Sequence, residues 1–224
     1  VLLVSAELTL QVARELIQRK SRFNDVSAVV CMSAGFGELI TSEAGQRERD
    51  LVQTLTSASI RLVGPNCLGV MDTVSGFNTN FDIGTYPHGG ISVLTQSGAF
   101  GNSFLFGSGI TGLVGLNKFV SIGNMADVQM AELLMFLKTD DSTRVIGIYL
   151  EGLADPREFF QAAREVAAVK PIVIFKSGRS EMGSTAALSH TGAVAGADAI
   201  YDGACRQASL IRAKSVSEFY DTLR

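Results

Sequence analysis

Of the two histidines in this chain, His190 stands where an imidazole can do chemistry. It sits in Ser189-His190-Thr191-Gly192, near the far end of a Gly/Ala/Ser-rich stretch that runs from Lys176 to Gly196. Its neighbours are small, so the ring is not there to fill a core. Small and hydroxylated flanks suit a nucleophile that must move between sites, and an imidazole nitrogen can take and pass on a phosphoryl group. Taken alone, a histidine in a loop is usually an ordinary surface residue. A stretch of about twenty residues between a strand and a helix is longer than such a connection needs, which points to a functional or a disordered loop.

Two further stretches offer partners for that chemistry. Thr95-Gln-Ser-Gly-Ala-Phe-Gly101 joins an apolar strand to a helix. The first N–H groups of a helix lack intrahelical acceptors, and the aligned peptide dipoles leave positive charge there, so this turn favours an anion. Ser97 is placed to cap the helix, while Gly98 and Ala99 leave room for an anion to approach the backbone. An ordinary capped helix start would show the same residues. Glu151 ends the apolar strand Val145–Leu150, in Tyr149-Leu-Glu-Gly. A carboxylate there can accept the ring N–H of a histidine and favour its charged or phosphorylated form. It can equally be a solvated loop acid. Ser33-Ala-Gly-Phe-Gly-Glu38 and Gly64-Pro-Asn-Cys-Leu-Gly69 present backbone amides and small side chains at strand ends, suited to an extended polar ligand or simply to tight turns.

The elements that must position these residues alternate along the chain. Strands are expected at Val1–Ser5, Val26–Met32, Arg61–Val63 and Val70–Met71, with helices over Thr9–Lys20 and Glu43–Ala58. Between Asp72 and Gly90 the apolar periodicity lapses, and a boundary is expected at residues 83–89, with His88 structural or incidental there. A second alternation follows, with strands at Ile91–Leu94, Phe119–Ile122, Val145–Leu150, Ile172–Phe175 and Leu210–Ile211. Its helices are expected over Ser97–Ser108, Val128–Lys138, Pro156–Ala168, Ala197–Gln207 and onward from Val216, with Asp127 a helix cap and no more. Alternating strands and helices predict an α/β fold with doubly wound parallel sheets, the second of flavodoxin type with about five βα units. Ligands in such folds bind beyond the carboxyl ends of the strands, where each of these loops lies.

Composition narrows the function classes. With 46% hydrophobic residues, 18% charged residues and a net charge of −3, the chain reads as a globular α/β protein without the basic footprint of a nucleic-acid binder. Its three cysteines (Cys31, Cys67, Cys205) are widely spaced and suggest neither a disulfide framework nor a metal site, but free thiols in a reducing cytoplasm. No apolar run approaches the ~20 residues of a bilayer span, so no membrane partner is expected. The opening Val-Leu-Leu-Val-Ser is strand-like and carries no leader pattern, so the sequence is expected to start inside a domain.

Taken together, the segments resemble the α-type portion of NDP-forming acyl-CoA synthetases, the superfamily of succinyl-CoA synthetase, with the ADP-forming acetate–CoA ligase branch the nearest fit. The motifs that carry the resemblance are Ser33-Ala-Gly-Phe-Gly-Glu, Gly64-Pro-Asn-Cys-Leu-Gly-Val, Thr95-Gln-Ser-Gly-Ala-Phe-Gly, Lys118-Phe-Val-Ser-Ile-Gly-Asn, Tyr149-Leu-Glu-Gly and Ser189-His-Thr-Gly-Ala-Val-Ala-Gly, in family order. The resemblance implies that residues 1–82 are the later part of a Rossmann-like CoA-binding domain. Residues 83–89 would be a linker, and residues 90–224 a succinyl-CoA synthetase-like flavodoxin domain carrying a phosphohistidine loop at 176–196. It further implies that His190 is the phosphohistidine, that Glu151 supports it, and that Ser97, Gly98 and Ala99 hold the phosphate. Ser5, Ala6, Glu7, Ser33, Gly35, Phe36, Asn66 and Cys67 would contact coenzyme A. Asn102 would stand near the acyl group, where succinate-specific relatives carry a Tyr, which argues against succinate. The implied substrates are CoA or acyl-CoA, phosphate, a small carboxylic acid, and ADP or ATP with Mg held by an ATP-grasp partner domain or subunit, in a cytoplasmic oligomer. No resident metal is implied. A rival reading, from the same resemblance, is a non-ligase region of a protein lysine acetyltransferase that senses acyl-CoA or nucleotide. A third is a flavodoxin-like domain without catalysis.

Overall fold

The computed structural model describes residues 1–81, 84–112, 114–178 and 198–224. The expected loop 176–196 therefore lies, from residue 179 on, outside the described residues, and His190 with it.

The first unit comprises α1 (Ala6–Phe23), β1 (Ala28–Val30), α2 (Ser42–Ser57) and β2 (Arg61–Val63). β1 and β2 pair in parallel, and Leu2 adds a parallel bridge to Cys31. The strand expected at Val1–Ser5 is thus reduced to that one bridge. Ser5 takes the extended backbone of an N-cap position, and Glu7 places an acid in the first helical turn. The acid favours starting the helix at Ala6, earlier than expected, and this shortens the strand. Ala13, Leu51, Leu55, Ile60 and Leu62, all fully buried, close a small core between the two helices and the strands.

The remaining elements are β3 (Val70–Asp72), β4 (Phe77–Asn78), β5 (His88–Thr95), α3 (Gly98–Thr111), β6 (Leu116–Ser121), α4 (Met130–Thr139), β7 (Val145–Leu150), α5 (Pro156–Ala167), β8 (Ile172–Lys176), α6 (Asp198–Gln207), β9 (Ile211–Ala213) and α7 (Val216–Leu223). Their strands form one seven-stranded sheet in the order β4-β3-β6-β5-β7-β8-β9. Strands β5 to β9 are mutually parallel in the order second, first, third, fourth, fifth, the flavodoxin order expected from the alternation. Successive residues of the central strands face opposite cores, so these strands read as unbroken apolar runs. Leu94, Ile148 and Ile174 meet α4, α5 and α6 on one face, while Val93, Phe119 and Val173 meet α3 and α7 on the other.

β3 and β4 precede the expected linker, yet β3 runs antiparallel to β6 as part of the larger sheet. Met71 is the anchor, buried in the same core as Val93 and Phe119. β5 starts three residues before its expected beginning, and His88 stands 2.9 Å from Thr73 Oγ1 through its Nδ1. The two units are joined by more than chain connectivity. Asp127 accepts hydrogen bonds from Leu62 N at 2.7 Å and from Arg61 Nε at 3.0 Å. It is therefore a tie between sheets and not the cap of α4, a position that Gln129 takes. Among the described residues no helix is long and apolar enough to cross a membrane, and all three cysteines are free and buried.

Candidate functional site

In a sheet of this order the chain leaves β5 toward one neighbour and returns beyond β5 to the other, so the loops after β5 and β7 diverge and open a crevice. Here Gln96 spans that crevice. Its Oε1 accepts hydrogen bonds from Glu151 N at 2.6 Å and Gly152 N at 3.0 Å, tying the end of β5 to the end of β7. Ser97 caps α3, its hydroxyl accepting from Phe100 N at 3.2 Å, and its own N–H donates to Thr95 Oγ1 at 3.1 Å. The amides of Gly98 and Ala99, which come before the first intrahelical bond, are left as donors at the crevice. A Cβ built on Gly98 would meet nothing within 4 Å, so the approach to these amides is open. The Phe100 ring stacks on Tyr149 at 4.1 Å and fixes the start of the helix against β7.

A cavity of about 1040 Å³ occupies the crevice. Ser97, Gly98, Ala99 and Glu151 line one wall, and Gly37, Glu38, Glu48, Asn66 and Cys67 from the first unit line the opposite one. Gly123, Asn124 and Met125, following β6, close the seam between the walls. The loop carrying Gly123 comes so close to the 64–69 loop that an added Cβ would lie 2.1 Å from Pro65 O, and its φ of +57° also suits glycine. Among the described lining residues there is no Lys or Arg. An anion held here by those residues would rely on the helix amides and dipole, which can serve without a mobile cation.

A buried cation lies beside the described part of the cavity wall. Lys176, only 5% exposed, ends β8 opposite Leu150, the residue before Glu151. Its Nζ sits 5.1 Å from the ring centre of Tyr201, a residue of the cavity wall. Burial first, and then the charge of Arg212, push this ammonium below its ordinary pKa, while Glu151 and Asp198 oppose the shift.

The residues assigned to coenzyme A by resemblance gather at the carboxyl ends of the first unit's strands. Ser5, Ala6 and Glu7 open α1, and Val4 N donates to Ser33 Oγ at 3.2 Å, joining that helix start to the 33–38 loop. Arg47 ties the same corner, donating to Gly35 O at 2.5 Å and lying 4.0 Å from the Glu7 carboxylate. Asn66 and Cys67 line the cavity, whereas Ser5, Ala6, Glu7, Ser33, Gly35 and Phe36 do not. Phe36 is fully buried in the first core, and its N–H donates to the Glu38 carboxylate at 3.2 Å. Asn102 lies on the exposed side of α3, away from the cavity lining.

Sequence reasoning passed over Gln96, Glu48 and Asn124. Gln96 and Asn124 were visible only as neighbours of quoted residues, and Glu48 reads as one more solvated charge on a helix. No group of three or more His, Cys, Asp or Glu side chains able to hold a metal is found among the described residues.

Fold and site together define a class: a flavodoxin-type parallel sheet with an anion-binding helix start and a carboxylate at its switch point, joined to a smaller α/β unit. Residues 88–224 match the family model described as the succinyl-CoA ligase-like flavodoxin domain, and the chain belongs to that family. It is 41% identical over 225 residues to the alpha subunit of ADP-forming acetate–CoA ligase I of Pyrococcus furiosus, an alignment that covers all of this chain and 47% of the relative. It is 35% identical over 200 residues to the ADP-forming 4-hydroxybutyrate–CoA ligase of Nitrosopumilus maritimus, covering 88% of this chain and 28% of that protein. The solved structure of the dinucleotide-forming acetyl-coenzyme A synthetase 1 of Ca. Korarchaeum cryptofilum, in complex with phosphate and ADP, superposes with a TM-score of 0.90 at 34% identity, over 98% of this chain and 46% of that one. The chain thus spans about half the length, or less, of the relatives it matches.

Proposed function

We propose that this chain is the acyl-CoA and phosphate-handling segment of an ADP-forming acid–CoA ligase that works through a phosphohistidine at His190. The observation that carries this reading is the start of α3 facing the cavity, with Glu151 held beside it by Gln96. Relatives named as ADP-forming CoA ligases support the reaction class.

In the direction of ATP formation, a phosphate oxygen attacks the thioester carbonyl carbon and the C–S bond breaks. CoA leaves as a thiolate that takes up a proton, and an acyl phosphate remains. The Gly98 and Ala99 amides bear the phosphoryl charge as it develops, already oriented and therefore without reorganisation cost. A ring nitrogen of His190 then attacks phosphorus, the P–O bond to the acyl group breaks, and the carboxylic acid leaves as its anion. Glu151 accepts the other ring N–H and so favours the cationic, phosphorylated ring. The phosphoryl group finally passes to ADP, bound with Mg by an ATP-grasp domain or subunit. Residues 1–82 supply the coenzyme A contacts of such an enzyme, residues 90–224 its phosphoryl site, and a cytoplasmic oligomer is the expected setting. The acyl group is that of a small carboxylic acid.

Labelled ATP tests the central claim. The full-length ligase with its nucleotide-binding part should take up label on an acid-labile, base-stable site, and His190→Asn should abolish that label. Label that persists in the variant means that His190 is not the nucleophile.

A further inference from the structure

Asn124 joins the two walls of the cavity through both its backbone and its side chain. Its Nδ2 donates to Glu38 Oε2 and to Glu48 Oε2, each at 2.7 Å, and its Oδ1 accepts from Asn66 Nδ2 at 3.2 Å. Each of these carboxylates in turn holds the 33–38 loop. Glu38 Oε1 accepts from Gly35 N at 2.5 Å and Phe36 N at 3.2 Å, and Glu48 Oε2 accepts from Gly37 N at 3.1 Å. Asn124 itself follows β6 in the other unit, and its backbone N also crosses to Pro65 O at 3.0 Å. One neutral amide therefore pins two carboxylates, three loop amides and the Asn66 side chain to the sheet that bears the phosphate-binding helix.

We propose that Asn124 is a positioning residue that sets the distance between the coenzyme A loop 33–38 and the phosphate site at the start of α3. The proposal rests on the ligase reading above. Phosphate must meet a thioester carbonyl held from the opposite wall, and such encounters depend steeply on separation and angle. An amide suits this position because its NH₂ supplies two donors for two acceptor-only carboxylates, while its oxygen meets the Asn66 donor. A carboxylate in its place would set three like charges together and remove both donors.

The test separates the half-reactions of the full-length ligase with its nucleotide-binding part. Asn124→Asp should raise the KM for coenzyme A and lower acyl-CoA formation on the order of ten- to a hundred-fold, the scale expected for misplacement by about an ångström. Phosphorylation of His190 by ATP, which needs no coenzyme A, should stay within about two-fold of the parent. Asn124→Ala removes the donors without adding charge and should show the same split less severely. In Asn124→Asp/Glu48→Gln an amide again faces a carboxylate, and part of the coenzyme A KM should recover. An unchanged coenzyme A KM in both single variants overturns the proposal. So does a parallel fall in phosphorylation and melting temperature, which would mark Asn124 as a merely structural residue. If the unsubstituted ligase takes no label on His190, the ligase reading itself fails and the latch falls with it, an outcome distinct from a failure confined to Asn124.

Discussion

Cys67 lines the cavity beside Asn66, where a thiol invites comparison with the thiol of coenzyme A. Its setting makes it inert. The side chain is 5% exposed, Sγ donates to Cys31 O at 3.2 Å, and burial pushes its pKa up to about 12. At pH 8 it is almost wholly protonated, and the thiolate is the reactive form. Native protein should therefore resist alkylation at Cys67 by iodoacetamide at pH 8, and the site should react once unfolded in denaturant. Peptide mapping that finds Cys67 alkylated in native protein as fast as a free thiol would refute this account. The proposed roles of Ser97 and Glu151 are of a different kind, because both depend on groups that Gln96 and the start of α3 hold in place.

At the scale of elements, α3 and its contact with β6 decide where the phosphate amides sit. Gly101 lets the helix approach the sheet: a Cβ there would lie 2.7 Å from Phe119 Cζ and 3.1 Å from Thr95 Cγ2. Phe119 is fully buried and cannot swing away. Gly101→Val should therefore cost about 1–3 kcal/mol, the usual range for overpacking a core, and shift the helix start. Gly98→Ala is the matched control, since its Cβ meets nothing within 4 Å and should leave thermal unfolding close to that of the parent. Differential scanning calorimetry of the two variants distinguishes them, and equal melting temperatures would mean that α3 is not pressed against Phe119 as described.

At the scale of the molecule, stability at acid pH should depend on one network in the larger sheet. Asp140 follows α4 and accepts from Lys118 Nζ at 2.9 Å, Asn117 Nδ2 at 3.0 Å and the hydroxyls of Ser142 and Thr143. Burial opposes its ionisation, but these hydrogen bonds from Ser142, Thr143 and Lys118 outweigh it and hold the carboxyl well below its ordinary value of 3.8. A depressed folded-state pKa means that the unfolded chain binds the proton first. The contribution is therefore complete above the ordinary carboxylate range and fades as pH falls below about 4 toward the folded-state value. Asp140→Asn should cost about 1–3 kcal/mol at pH 7, the range for a charge-assisted hydrogen-bonded group, and should lose less than the parent between pH 5 and pH 3. Denaturant unfolding across that interval would refute the prediction if both proteins lost stability in parallel.

The sequence by itself determined the alternation of elements, and through it the α/β class and the flavodoxin type of the five parallel strands, because period and burial are local properties of the chain. It also singled out Ser97, Gly98 and Glu151, since a cap, a small residue and an acid at strand ends carry their meaning in their neighbours. The tertiary structure decided the rest. Five residues at Val1–Ser5 look like a strand until the helix that begins at Ala6 leaves one bridge at Leu2. Residues 70–78 look like the tail of the first unit until Met71 finds the second core. Asp127 looks like a cap, yet its partners Arg61 and Leu62 lie more than sixty positions away. Gln96, Glu48 and Asn124 gain their roles from pairings 55, 76 and 86 positions apart. No local pattern encodes such pairings, because they exist only once two sheets have folded and met.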